Sequence, residues 1–449
     1  MTQRKTNKIR IVLLAVIAAL AWPAPARVQE AKPVDKSEMQ AVIAKADEEL
    51  SKRYIYPDRA AAAAAKIKAA LAAGDYDAIT DAKVFAQRLT ADLRSITHDK
   101  HMEVFLAGPQ PSPPPDAAPP PRSNAGFLAV DRLKGNIGYI NLQGFPDPVL
   151  FKLVADQAMA DLAGTKALIV DMRGNGGGSA ESDAYFGSLF FDPKKPVQLN
   201  AIVHRNPGTN TYERSEFWTK PVPTPYLGKP VILLTSARTF SAGEAVLYDL
   251  KNLKRARLIG ETSGGGANPG GAWPLTPRFG IGIPTGRAEN PITKTNWEGT
   301  GVAPDVAVTA DQALRVAMLE FTKNPALKQQ RAMEVGDFAP VHLLKFREGA
   351  QPGAAEALRQ LLTSLARGEP DYTTMSDGLA KATRDQLPML KSSLEAAGEI
   401  KTVTFQNIGP AGLDIYRVTC ANRILMSGIF LMPDGKIASS WIRTEAAGQ

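Results

Sequence analysis

The stretch from Val231 to Gly266 constrains this chain more than any other. Val231–Leu234 is a short apolar run that suits a buried strand. Ser236–Phe240 reads as a polar turn. From Ser241 onward, Ala245, Leu247, Tyr248 and Leu250 recur in a helical pattern. A strand, a turn and a helix in this order place Ser241 at or near a helix N-terminus, where unpaired amides favour negative charge. Taken alone, the stretch leaves two roles for Ser241. It is a helix cap, or it is a nucleophile whose oxyanion would be met by the amides behind it. The second role requires a base, an orienting acid and oxyanion donors from elsewhere in the chain.

The segments around this stretch alternate strand and helix. Asn136–Leu142, Lys166–Met172, Val197–His204, Thr211–Phe217 and Ala256–Glu261 read as strands. So do the shorter Trp273–Leu275 and Gly280–Pro284. Leu150–Leu162, Ser182–Phe191 and Asp311–Lys323 read as helices. Alternation of this kind predicts an α/β domain over 123–330 with a substantially parallel sheet. Ahead of it, Ser37–Arg53, Ala60–Ala73 and Asp81–Ser95 have helical spacing and predict a helical domain over 37–107. The proline-rich segment 108–122 reads as an exposed linker. After it, helices at Ala354–Ala366 and Met375–Ala397 precede four strand-like runs, the last two joined by a Pro-Asp-Gly turn. They predict an α+β domain over 340–449.

The first 26 residues have the pattern of a secretory signal. Arg4, Lys5, Lys8 and Arg10 form a basic start, Ile11–Ala21 an apolar centre and Ala24-Pro25-Ala26 a small-residue cleavage site. The apolar run is short for a membrane span, although an uncleaved anchor stays open. Periplasmic or secreted placement is the expectation, with no integral membrane domain once the signal is removed. The formal net charge is +8, and four of the positive charges lie in this segment. No dense basic run interleaved with aromatics follows, so no nucleic acid partner is expected. The single cysteine, Cys420, excludes an internal disulfide, and no Cys/His cluster suggests zinc.

Three further groups could carry chemistry. The loop Gly174-Asn175-Gly176-Gly177-Gly178 joins a strand to a helix. It suits a tight turn or an oxyanion loop, and its spacing fits neither a P-loop nor G-x-G-x-x-G. Among the four histidines, His98 and His101 share one polar segment. Either could be a general base, and a metal pair would lack an evident third ligand. Glu298, in Asn296-Trp297-Glu298-Gly299, is a surface charge or the carboxylate that orients a histidine.

Five segments in order, KGNIGYINLQGF, ALIVDMRGNGGG, VILLTSARTFSAGEA, IGETSGGGAN and NWEGTGVAPDV, resemble the S41 family of serine peptidases, over Ser95 to Val308. That family includes the C-terminal processing proteases, the tricorn core and the interphotoreceptor retinoid-binding proteins. The resemblance implies a crotonase/ClpP-like α/β core with Ser241 as nucleophile. It implies an oxyanion hole from the Ala242 amide and an amide of the glycine loop, Gly176 or Gly177. Processing proteases place a lysine where this chain has Gly264-Gly265-Gly266, so the resemblance is to the serine–histidine branch. There, Asp99-Lys100-His101 matches a D-x-H context, with His101 as base and His98 in reserve, and Glu298 matches the glutamate. The implied function is an exported serine peptidase acting on peptides or unfolded proteins through a Ser–His–(Glu) mechanism, with no cofactor and no metal. A non-catalytic binder of apolar ligands and an esterase are the alternatives, and a homo-oligomer stays open.

Overall fold

The computed structural model describes residues 33–106, 123–409 and 412–444. The expected signal segment 1–26 and linker 108–122 lie outside the described residues. Three helices come first: α1 (Lys36–Arg53), α2 (Pro57–Ala73) and α3 (Ala82–Thr97). Their starts follow local chemistry. Asp35 and Asp81 accept the amides of Glu38 and Val84, and Pro57 occupies the first turn of α2. Gly74 and His98 end α2 and α3 in the left-handed conformation. Strand β1 (Glu103–Leu106) follows.

The central unit opens with β2 (Phe127–Leu133), β3 (Ile137–Leu142), α4 (Pro148–Leu162), β4 (Ala167–Asp171) and α5 (Ala180–Ser188). It continues through β5 (Gln198–Arg205), β6 (Tyr212–Trp218), β7 (Val231–Thr235), α6 (Ala242–Asn252) and β8 (Arg257–Gly260). The short strands β9 (Gly270–Pro274), β10 (Phe279–Pro284), β11 (Gly286–Glu289) and β12 (Val306–Ala307) precede α7 (Ala310–Thr322) and β13 (Val341–His342). Seven strands form the main sheet in the order β12-β8-β7-β4-β3-β2-β13. The run from β3 to β12 is parallel, and β2 and β13 add antiparallel edges.

The apolar runs in β4 and β7 are explained by burial on both faces. Leu168, Val170, Val231 and Leu233 face the layer of α4, α5 and α6. Their neighbours Ile169, Ile232 and Leu234 face the layer of α7. The described part is therefore α/β at its centre. A last unit, α8 (Ala354–Arg367), α9 (Asp377–Ala397) and strands β14 (Ile400–Ile408), β15 (Asp414–Cys420), β16 (Ile424–Leu431) and β17 (Ile437–Thr444), forms a four-stranded antiparallel meander backed by helices. Cys420 is buried in that unit's core.

The N-terminal helices do not close a core of their own. Ile43, Leu50, Ile67, Phe85 and Leu89 pack into one cluster with Leu275, Phe279, Ile281 and Ile283. Strand β1 pairs antiparallel with β10, Glu103 opposite Gly282. The segment 98–102, between α3 and β1, is thereby held against the central unit. Two strands carry no clear pattern in sequence. β2 (FLAVDRL) mixes charge into its run, and β11 (GRAE) is short and pairs antiparallel along the edge of β5. α5 stops at Ser188, short of the helical pattern that extends to Phe191.

Leu233 is fully buried between β7 and the α6 layer. Leu233→Ala is expected to cost about 2–5 kcal/mol of unfolding free energy. The exposed Ile292→Ala should stay within about 0.5 kcal/mol of the parent. Chemical denaturation of the two variants against the parent checks both.

Candidate active site

The turn between β7 and α6 is stitched to the glycine loop beside it. Ser236 Oγ donates to Arg173 O at 2.6 Å, Thr239 Oγ1 to Met172 O at 2.8 Å, and the Phe240 amide to Asn175 O at 2.9 Å. Ser241 sits just ahead of α6 with φ 55 and ψ −124. A positive φ on a non-glycine residue costs of order 1–3 kcal/mol and persists only where its surroundings over-determine it. Sharp strand-to-helix turns with this strain present a serine hydroxyl at the top of a sheet.

The end of α6 is anchored by Glu244, one turn into the helix. Its carboxylate accepts the Ser241 amide at 2.9 Å, Ser263 Oγ at 2.5 Å, and the Gly265 and Gly266 amides at 2.6 and 2.8 Å. Burial raises the Glu244 carboxyl, and these four donors oppose that rise. The spacing of Ser241 and Glu244 is that of a capping box, a signal in the sequence that reveals this anchor.

His101 reaches the serine from the other side. Its Nε2 lies 3.1 Å from Ser241 Oγ. The imidazole packs on Phe240, with ring centroids 4.7 Å apart, and over Gly266. A Cβ on Gly266 would sit 2.8 Å from His101 Cε1, so this glycine is the floor under the imidazole. The backbone of His101 is fixed by Asp99, whose Oδ1 accepts its amide at 3.1 Å. The other Asp99 oxygen accepts Asn268 Nδ2 at 2.8 Å and Tyr54 OH at 3.4 Å. Lys100 points away and donates to Gly264 O. His98 is exposed at the end of α3, and its amide donates to Arg94 O. The structure therefore brings His101 to the serine and leaves His98 outside.

Glu298 lies beneath the same segment. Its Oε2 accepts the Ala267 amide at 2.5 Å, and the carboxylate also accepts the Lys100 amide. Carboxylate oxygens of Asp99 and Glu298 and a ring nitrogen of His101 lie within 4.8 Å of one another. His101 Nδ1 and Glu298 Oε1 are both buried, and neither has a hydrogen-bond partner among the described residues. In composition this trio could ligate a cation. Both Asp99 oxygens, however, are already engaged by donors. Burial, with Arg94 second, pushes the His101 imidazole down to about 4. Burial, with Asp99 second, pushes Glu298 up to about 7. At neutral pH the imidazole is neutral and able to accept a proton.

The glycine loop differs from expectation. The Gly176 amide donates to Gln143 O at 3.1 Å, and the Gly177 amide to Asn175 Oδ1 at 2.9 Å. Both are committed to the loop's own structure, so neither faces the serine as an oxyanion donor. The amides of Gly178 and Ala242 have no acceptor among the described residues, and both residues line the pocket beside Ser241. Gly178 has φ 138, and a Cβ there would lie 2.0 Å from Phe145 O, so only glycine turns the chain this way. The run of glycines identifies the loop, but hydrogen bonding selects the residue.

Glu298 also makes stability depend on pH. Its folded-state value lies above its ordinary value, so its contribution is present in acid and is lost as pH rises toward 7. Relative to Glu298→Gln, the parent should lose on the order of 1 kcal/mol of unfolding free energy between pH 5 and pH 8, allowing for solvent screening of a half-buried group. Denaturation curves at the two pH values check this.

Residues 136–308 match the model of peptidase family S41. Residues 35–127 match the N-terminal domain of Peptidase_S41 in eukaryotic IRBP. The carboxy-terminal processing protease CtpA of Bacillus subtilis (strain 168) is 29% identical over 130 residues, which cover 29% of this chain and 26% of that protein. The chain thus spans about a quarter of the curated relative it matches. A crystal structure of a candidate peptidase from Parabacteroides merdae ATCC 43184 has a TM-score of 0.48 at 17% identity, covering 64% of this chain and 98% of that one. The photosystem II D1 C-terminal processing protease has a TM-score of 0.40 at 13% identity, covering 61% of this chain and 94% of that one. The family match rests on sequence and not on these likenesses.

Proposed function

Because this chain belongs to peptidase family S41, we propose that it is an exported serine peptidase acting on peptides or unfolded proteins. The observation that carries the proposal is the 3.1 Å approach of His101 Nε2 to Ser241 Oγ, across 140 residues of chain. A nucleophile and base within hydrogen-bond reach, with a carboxylate behind the base, are the parts of covalent acyl transfer.

In this mechanism Ser241 Oγ attacks the scissile carbonyl as His101 Nε2 takes its proton. The carbonyl oxygen becomes an oxyanion held by the Gly178 amide of the glycine loop and by the Ala242 amide at the start of α6, where the helix dipole favours negative charge. His101 then gives its proton to the leaving amine, the C–N bond breaks, and water repeats the sequence on the acyl-enzyme. Glu298 stabilises the imidazolium across a gap without a direct hydrogen bond, and Asp99 holds the His101 backbone. The chain has glycine where the processing proteases carry a lysine. The short distance to His101 supports histidine as the base in its stead. The signal-like residues 1–26 support a periplasmic or secreted site of action.

The match of residues 35–127 to the N-terminal domain of IRBP favours one second reading, an apolar-ligand binder without catalysis. Covalent labelling of Ser241 by a fluorophosphonate separates the two, since a binder without an activated serine stays unlabelled.

Ser241→Ala and His101→Ala are each expected to lower hydrolysis of an unfolded protein by at least about 1,000-fold with the thermal transition kept. Activity retained in both variants rejects the assignment. The pH profile of kcat/KM should rise through about 7 as Glu298 ionises, with His101 already neutral. Glu298→Gln should lose that limb, and an unchanged profile removes Glu298 from the mechanism.

A further inference from the structure

Beside Ser241 a small cleft, with a cavity volume of about 50 Å³ and its mouth open to solvent, runs inward between α5, α6, β5 and β11. Its walls are apolar at Ile202, Ala245, Ala288 and Trp297. One acidic side chain, Asp183 of α5, lines it. Asp183 is only 5% exposed. Among the described residues its carboxyl has no hydrogen-bond donor and no Lys or Arg partner, and its acidic neighbours are Glu181 and Asp249, the latter itself pushed up to about 8 by burial. Asp249 accepts Asn200 Nδ2 at 2.6 Å and Asn290 Nδ2 at 3.1 Å, so its own carboxyl is satisfied and Asp183 alone is not.

A buried carboxyl without a partner is unfavourable, and proteins rarely keep one in a core. Here it faces a pocket that opens at the nucleophile. Burial holds the Asp183 carboxyl well above the usual carboxylate range while nothing neutralises it. An entering cation would restore its ionised form and supply the missing partner. The apolar walls suit the methylene stem of a basic side chain, and the acid suits its end.

We propose that Asp183 makes this pocket selective for a substrate side chain with an aliphatic stem and a terminal cation, Lys or Arg, on the acyl side of the bond that Ser241 attacks. The assignment rests on the peptidase reading for its place in a reaction. Binding in the pocket does not depend on that reading. Asp183 touches the substrate side chain and sets specificity, and takes no part in proton transfer.

Two measurements on the full chain test it. In the first, the parent is given a peptide library, cut sites are read by mass spectrometry, and matched peptides with Lys or norleucine before the scissile bond are compared. Lys should exceed norleucine in kcat/KM by at least about tenfold, and Asp183→Asn should bring the ratio close to one. In the second, Ser241→Ala and the Ser241→Ala/Asp183→Asn double variant are titrated with the same peptide pair. Preferential binding of the Lys peptide, lost in the double variant, is expected. Equal cleavage or equal binding of the two peptides by protein with intact Asp183 overturns the proposal, as does a preference that survives Asp183→Asn. If the parent cleaves neither peptide while Ser241→Ala still prefers Lys, the peptidase reading fails and the pocket assignment stands.

Discussion

The carboxylate of Glu244 joins two segments of this site, the turn that carries Ser241 and the loop 263–266 on which the imidazole rests. One side chain takes the Ser241 amide, the Ser263 hydroxyl and the Gly265 and Gly266 amides. It thereby fixes the strained turn at Ser241 and the floor beneath His101 in one frame. A carboxylate has roughly four acceptor positions, and here each meets a donor. Its place in the first turn of α6 adds favourable interaction with the helix dipole. Serine and histidine keep their separation because the same group positions the serine backbone and the glycines on which the imidazole rests.

The second constraint is the way the N-terminal helices are held. Their apolar faces find their partners in β10 and the turn before it, so the Asp99-Lys100-His101 segment is fixed by packing at both ends. Inside that segment Asp99 acts on backbone and not on the imidazole. Its oxygens take the His101 amide, Asn268 and Tyr54. The second acid of the cluster, Glu298, comes from a separate loop.

Much of the fold was legible in the sequence. Buried strands such as Val231–Leu234 and Ala167–Asp171 announce themselves by unbroken apolar runs, and the helices by spacing and caps. β2 and β11 were not legible: in β2 a buried Asp131 beside the exposed Arg132 breaks the apolar period, and β11 is only four residues long with two of them charged. In the site, Ser241, His101 and Glu298 stand in recognisable motifs. The choice between His98 and His101 needed the left-handed end of α3, which turns His98 outward. Which glycine amide is left without an acceptor could not be read, since Gly176, Gly177 and Gly178 are the same residue in sequence. Their amides differ only in where they point, set by φ 97 at Gly177 and φ 138 at Gly178 and by the side chain of Asn175. Asp183 was invisible for a related reason. An acid in the first turn of a helix normally serves the dipole in solvent, and only the packing of α5 against α6 and β5 buries it.

The contact between His101 and Ser241 spans 140 residues, and it closes only when α3, β10 and the β7–α6 turn have all docked. Contacts of such long range carry a loop-closure cost in chain entropy and slow folding. A chain still being assembled has Ser241 on one structural unit and His101 on another. The topology therefore ties the meeting of His101 and Ser241 to completion of the fold.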